Sequence, residues 1–279
     1  MYVECFLYFY IVLKEMIAIK FLKFFKNLTK FELILWLASV TAIVISFIAS
    51  SSKDVLTIIA LLIGVTALIF VSKGDVLGQI LTVVFSLFYA VISFRFRYYG
   101  EMITYLGMTA PIAALSAVSW FKHPYENGKN EVKIASLTKA KVVVLALLTA
   151  AVTVLFHFIL KYFNNANLFM STVSIATSFS ASALMLLRSP YYAVAYACND
   201  VVLVILWVMA SMEDISFLPM IVCFAIFLIN DIYGFFNWRK MSRKQNNNIQ
   251  DDNHNHQLNW WFAQALKGPP TGLPTESRH

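Results

Sequence analysis

Eight stretches long enough to cross a bilayer constrain this chain more than any other feature. They run at about 31–50, 55–71, 76–94, 102–121, 142–163, 169–187, 191–212 and 217–238. A hydrocarbon core ~30 Å thick needs roughly 17–25 mostly apolar residues per helix, and each stretch meets that length. Apolar residues make up 59% of the chain and charged residues 13%, against about 45–50% and 25% in a soluble domain. No soluble fold of 279 residues has an interior large enough to hide that surface, so lipid must act as solvent for much of it. In lipid every backbone polar group needs an internal partner, which leaves helices as the spanning element. The expected fold class is therefore an all-α membrane protein with eight transmembrane helices.

The residues outside these runs suggest three domains: 1–30, 31–240 and 241–279. In the first, Tyr2–Leu13 is apolar but short. From Met16 onward, Lys20, Lys23, Lys26 and Lys30 alternate with Ile19, Phe21, Leu22, Phe24 and Phe25, a basic amphipathic segment suited to an anionic leaflet. Met16 is also a candidate natural start. With eight spans, one side receives this segment together with Lys73, Lys122, Lys129, Lys133, Lys139, Lys141, Arg188, Arg239, Lys240, Arg243 and Lys244. The other side receives only Lys53, Arg95, Arg97 and Lys161. Cytoplasmic loops carry the excess of Lys and Arg, so both termini of this multi-pass cell-membrane protein are expected in the cytoplasm. After Lys244 the composition turns to Asn, Gln, Asp and His, then Gly and Pro, which reads as a disordered tail. His254 and His256 in that solvated stretch make a poor metal site. Cys198 and Cys223 fall inside apolar runs and read as inert buried thiols.

Two spans end alike. The fourth closes on Ser119-Trp120-Phe121-Lys122 and the eighth on Asn237-Trp238-Arg239-Lys240, with the two tryptophans 118 positions apart. Short basic links at Ser72-Lys73-Gly74 and Arg188-Ser189-Pro190 recur at a nearly matching offset. The pattern predicts one extra N-terminal helix, a repeat over 55–121, a linker helix at 142–163 and a second repeat over 169–238. Three helices plus a linker is an even number, so both triplets enter the membrane in the same direction. They form a parallel repeat of the SWEET type, with a binding site between them near the midplane. Gly74, Gly100, Pro111 and Pro190 are candidate hinges or kinks.

Polar groups at membrane depth are costly and usually face a partner or a cavity. Asn199 and Asp200 lie in the middle of the seventh run, and Asn230 and Asp231 lie well inside the eighth. Tyr192, Tyr196 and Asn199 share one helical stripe, Asn230, Tyr233 and Asn237 another, and Gln79, Ser86 and Tyr89 a third. Amides and phenols that converge can hydrogen-bond a carboxamide or a ribose, and ring faces can stack on a flat heterocycle or attract a cation. The candidate substrate contacts are Gln79, Tyr89, Tyr192, Tyr196, Asn199, Asp200, Asn230 and Tyr233. Interhelical hydrogen bonding is the plainer role for any one of them.

From Leu56 to Lys240 the chain resembles the PnuC-type nicotinamide riboside transporters. The likeness rests on Tyr99-Gly100-Glu101, on Pro111 through Lys122, on Arg188 through Asn199 with Trp207, and on Asn230-Asp231-Ile232-Tyr233-Gly234 through Trp238. The family commonly carries a tryptophan pair ahead of an asparagine, where this chain has Tyr192 and Tyr196. The resemblance implies uptake of nicotinamide riboside by facilitated diffusion through the three-plus-one-plus-three bundle. It also implies a cytoplasmic riboside kinase that traps the product, a supply to NAD biosynthesis, membrane lipid as surroundings, and no cofactor. Relatives of the fold carry thiamine, riboflavin or deoxynucleosides, so the fold alone does not fix the cargo, and thiamine is likewise a flat cation.

Other classes fit less well. His157 stands alone in the linker run, His123 lies in a loop, and neither His-Glu-x-x-His nor Gly-x-Ser-x-Gly occurs, so nothing suggests an enzyme. No filter loop or charge ring suggests a channel. The basic charge orients the chain in the membrane and does not point to nucleic acid. A structural or sensory membrane protein is the alternative outside the transporter class. A homo-oligomer is compatible with the fold, although no interface is legible.

Overall fold

A computed structural model describes residues 28–50, 54–95, 98–126, 131–165, 167–212 and 215–265. The N-terminal amphipathic segment up to residue 27, Met16, and the tail beyond 265 lie outside these residues, as do the side chains of His254 and His256. Among the described residues the fold is all-helical, with eight helices long and apolar enough to cross a membrane. These are α1 (Lys30–Ala49), α2 (Val55–Ser72), α3 (Val76–Arg95), α4 (Tyr99–Lys122), α5 (Lys139–Tyr162), α6 (Leu168–Leu186), α7 (Tyr192–Ser211) and α8 (Leu218–Ala265). They coincide with the eight apolar runs because bilayer thickness sets the length of each.

Six helices close into a ring. In order of contact these are α2, α3, α4, α6, α7 and α8, which returns to α2. The other two stay outside it: α1 lies against α2 and α8, and α5 lies against α6. Leu160 is the buried residue of α5, whose remaining surface suits lipid. Two polar contacts fix α5 to its neighbour, Thr149 Oγ1 to Ser180 Oγ at 3.2 Å and His157 Nδ1 to Thr172 Oγ1 at 3.0 Å. Just beyond α5, Asn165 Oδ1 accepts the Gly100 N–H at 3.0 Å. A Cβ at Gly100 would stand 2.5 Å from that oxygen, so this approach needs glycine.

Helix α1 begins with a capping box. Thr29 Oγ1 accepts the Glu32 N–H, and the Glu32 carboxylate accepts the Thr29 N–H. The same carboxylate, 2% exposed, pairs with Lys73 Nζ at 3.0 Å and accepts the Tyr233 hydroxyl at 2.8 Å. One buried acid thus ties α1 to the end of α2 and to α8.

At one end of the bundle α2 and α6 terminate in the same way. After α2, Asp75 N–H bonds Phe70 O and Gly74 N–H bonds Val71 O; after α6, Ser189 N–H bonds Leu184 O and Arg188 N–H bonds Met185 O. Each pair is a Schellman cap, with its left-handed residue at Gly74 (φ 67) or Arg188 (φ 56). The two tryptophans that end α4 and α8 meet there, ring centroids 5.3 Å apart. Trp238 Nε1 donates to Val71 O at 2.9 Å and Trp120 Nε1 to Met185 O at 3.3 Å. Each therefore reaches a capping carbonyl in the other group of three helices.

Two features differ from the sequence expectation or refine it. Helix α4 contains a π-helical segment over Tyr105–Thr109, closed by Ala110 N–H bonding Tyr105 O. Pro111 explains it: proline has no N–H to give, and its ring crowds the carbonyl four residues back, so the turn before it widens. The second concerns the residues after 240, where composition reads as disorder. Helix α8 instead continues to Ala265, and the first turns of this polar extension have partners. Gln245, 2% exposed, accepts the Ile134 N–H at 2.9 Å and donates to Glu131 Oε1 at 2.8 Å and Val132 O at 3.1 Å. Asn248 Nδ2 donates to the Tyr125 hydroxyl. The loop between α4 and α5 is thereby clamped between α8 and the α2–α3 turn, where Val132 N–H bonds Gly74 O. Cys223 is buried as expected, whereas Cys198 faces outward from the bundle.

Replacing Trp238 by Phe keeps the ring contact with Trp120 and removes the hydrogen bond to Val71 O. This should cost about 1–2 kcal/mol and lower the apparent Tm in detergent. Fluorescence-detected size-exclusion after heating measures it, and an unchanged midpoint would deny the bond a structural role.

Candidate binding cavity

The ring encloses a cavity to which all six of its helices contribute. Gly64 and Val71 of α2, Gln79, Thr82 and Phe85 of α3, Tyr105 and Thr109 of α4, and Met185 of α6 form one part of the wall. Tyr196, Asn199 and Asp200 of α7, with Phe224, Phe227 and Asp231 of α8, form the rest. The cavity volume is about 60 Å³, enough for a few waters at roughly 10–15 Å³ each. Phe85 and Tyr105 stand edge to face with centroids 6.1 Å apart, and Phe224 and Phe227 likewise at 5.5 Å. The wall therefore combines aromatic faces with two carboxyl groups, a primary amide from α3 and another from α7.

The polar wall groups are oriented. Asn199 Oδ1 accepts the Ser178 hydroxyl at 2.8 Å and lies 2.8 Å from Thr177 Oγ1, both on α6. The amide NH₂ of Asn199 is thus the group left to act as a donor. Tyr196 is fixed by Ser182, hydroxyl to hydroxyl, at 3.0 Å. Asp200 and Asp231 face the same cavity from the adjacent helices α7 and α8. Asp200 Oδ2 and Gln79 Nε2 are buried without a protein partner. A buried polar atom in that state is one a ligand group or water would satisfy. Among the described residues no cluster of His, Cys, Asp and Glu has the makings of a metal site.

Of the residues singled out from sequence, the cavity gathers Gln79, Tyr196, Asn199 and Asp200. Tyr89 lies behind the wall, its ring tilted against Tyr105 with centroids 4.2 Å apart and its hydroxyl accepting the Trp207 Nε1–H at 3.0 Å. Tyr192 belongs to the tryptophan cluster, 4.7 Å from the Trp238 ring. The Asn230 stripe faces elsewhere. Asn230 Nδ2 reaches Ser39 of α1 and Ile226 O, Tyr233 reaches Glu32, and Asn237 donates to Ser72 O. On α8 it is Asp231, one step of ~100° round the helix from Asn230, that enters the cavity. Tyr105 and Thr109 were not anticipated as wall residues. They bound the π-helical segment, and Gly107 with Pro111 four residues later was the available signal.

A cavity walled by six apolar helices, with rings, acids and amides turned inward, is suited to holding a small flat solute at membrane depth. Comparison with known proteins points the same way. The chain is similar to "Nicotinamide riboside transporter PnuC" of Neisseria mucosa, 25% identical over 224 residues, covering 79% of this chain and 85% of that protein. The protein of the same name from Haemophilus influenzae is 22% identical over 214 residues, covering 76% and 92%. The crystal structure of the vitamin B3 transporter PnuC shares the fold, with a TM-score of 0.69 at 23% identity, covering 78% of this chain and 94% of that one. These relatives are named as transporters and not as enzymes. A family model described as "Nicotinamide mononucleotide transporter" matches residues 54–240, more than half of the chain and the whole helical ring, and the chain belongs to that family.

Proposed function

We propose that this protein takes up nicotinamide riboside by facilitated diffusion, with the solute held at the ring cavity and exposed alternately to the two sides of a cell membrane. The observation that carries this reading is the convergence of Asp200, Asp231, Asn199 and Gln79 among the rings of Phe85, Tyr105, Phe224 and Phe227. Nicotinamide riboside has a flat pyridinium cation, a carboxamide and a ribose. The rings offer a stacking and cation–π surface, the acids a counter-charge, and the amides donors and acceptors for the carboxamide and the sugar. The relatives from Neisseria mucosa and Haemophilus influenzae, both named as nicotinamide riboside transporters, support the same cargo. The small volume fits an occluded state that must open to load.

The basic loops at the end bearing the two tryptophans support a cytoplasmic location for that end and for both termini. The reciprocal bonds of Trp120 and Trp238 to matching helix caps support a three-plus-one-plus-three design, in which α2–α4 and α6–α8 are parallel repeats joined by α5. Net uptake by such a carrier needs a sink, and phosphorylation of the riboside by a cytoplasmic kinase on the way to NAD would provide it.

Titration of the purified chain with nicotinamide riboside, thiamine and riboflavin should give the strongest binding for the riboside. A preference for thiamine would keep the carrier and change its cargo, and binding of none would sink the proposal. Replacing Asp200 and Asp231 together by Asn removes the counter-charge of the pair and should weaken riboside binding about tenfold, the scale of one lost charge-assisted contact. It should barely affect the uncharged dihydro form of the same riboside, and equal losses for both forms would remove the counter-charge role. Asn199→Ala should likewise reduce riboside affinity. Asn230→Ala, which faces Ser39 of α1, should leave affinity unchanged and lower thermal stability instead. Calorimetry and melting curves on the two variants separate these effects.

A further inference from the structure

A second cavity opens at the tryptophan-bearing end of the bundle, with a volume of about 770 Å³. Lys133, Lys141, Arg188, Arg239 and Arg243 line it together with His123. They come from the loop before α5, the start of α5, the α6–α7 link and the extension of α8. No carboxylate lines it, and none of the five cations is ion-paired among the described residues, where Lys73–Glu32 and Arg95–Asp54 are the pairs formed. An excess of basic residues on the loops would satisfy topology without gathering them into one concavity. Here four separate segments bring them together.

Two of the arginines are built in. Arg239 is half-buried, its guanidinium 5.8 Å from the Phe235 ring centre and donating to the Tyr191 hydroxyl at 3.3 Å. Arg188, also half-buried, donates to Lys133 O at 3.4 Å. Its backbone occupies the left-handed cap position that glycine fills at the equivalent turn after α2. A residue with a Cβ is disfavoured there relative to the right-handed region, and backbone strain of this kind clusters at functional positions. Loss of water around Arg188 pulls its pKa below the usual guanidinium value, so an anion in the cavity would replace hydration that the fold has removed.

We propose that this cavity is a binding site for a phosphate ester. A planar guanidinium engages phosphate oxygens through paired N–H bonds, and lysines add charge at longer range. The concavity borders the membrane surface, so the phosphate can belong to a phospholipid headgroup or to a phosphorylated metabolite in solution. The site is distinct from the ring cavity and shares no lining residue with it.

The test uses the full chain purified in detergent. One arm measures retention of phosphatidylglycerol against phosphatidylcholine by native mass spectrometry, and the other measures binding of ribose 5-phosphate by calorimetry. Selective phosphatidylglycerol retention identifies a headgroup site, and saturable ribose 5-phosphate binding identifies a solute site. Either supports the proposal if Arg188→Gln combined with Arg239→Gln weakens it by about tenfold or more. Lys122→Gln, at the same end but outside the cavity, should have no effect. If the double variant fails to fold, the exposed Arg243→Gln should show a smaller loss of the same binding. Failure of the unmodified chain to bind either probe overturns the proposal, as does an equal loss with Lys122→Gln. Binding of nicotinamide riboside by the double variant should be unchanged, so the two cavities are tested independently.

Discussion

The crossing of Trp120 and Trp238 is the contact on which the rest of the bundle depends. Each indole ends the last helix of one group of three and hydrogen-bonds the carbonyl that caps the first helix of the other. In lipid no hydrophobic force separates one apolar helix surface from another. Register between the groups must then come from directional bonds and close packing. The two indoles supply both at one end of the ring, and the Glu32 contacts to Lys73 and Tyr233 add α1 to the same end. At the other end, among the described residues, the ties include the Arg95–Asp54 pair at 3.3 Å, the Ser50 hydroxyl bonded to Ser216 O and the Gly100 N–H bonded to Asn165 Oδ1.

The helices were legible because lipid imposes a length that sequence reports directly. Their neighbours were not legible, and this explains why some of the polar residues singled out from sequence lie away from the cavity. Asn199 and Asp200 lie on a helix inside the ring with others on both sides, so a polar stripe there had few places to point other than inward. Asn230 and Tyr233 are just as polar and just as deep, but α1 lies outside the ring and offers them Ser39 and Glu32. Periodicity identifies a face and says nothing about which partner that face will meet. Tyr89 and Tyr192 show the same limit at shorter range, since each is one layer behind the wall and held by a tryptophan. The tail after 240 was misleading for a related reason. Polar composition predicts disorder only when the polar groups have no structured partners, and Gln245 finds three in a loop more than a hundred residues earlier.

Two departures from regular geometry lie at the cavities. The widened turn in α4 brings Tyr105 and Thr109 to the cavity wall. The left-handed arginine after α6 borders the basic concavity, whereas its counterpart after α2 is an ordinary glycine in a tight turn. Helix α5 carries no widened turn; only its first turn, through Lys141, reaches the basic concavity, and the rest of it lies against α6.

The long final helix has a mechanical consequence. Asp231 and Gln245 belong to one uninterrupted helix, so roughly 21 Å of stiff rod, at about 1.5 Å per residue, connects the ring cavity to the clamp on the loop between α4 and α5. A tilt of that rod at the cavity would swing its outer end and drag the loop with it, while the same loop is tethered to the α2–α3 turn through Val132. Opening the cavity therefore has to work against a lever fixed at its far end. A rearrangement at the cavity is resisted at the outer loop, where Gln245 holds Glu131, Val132 and Ile134.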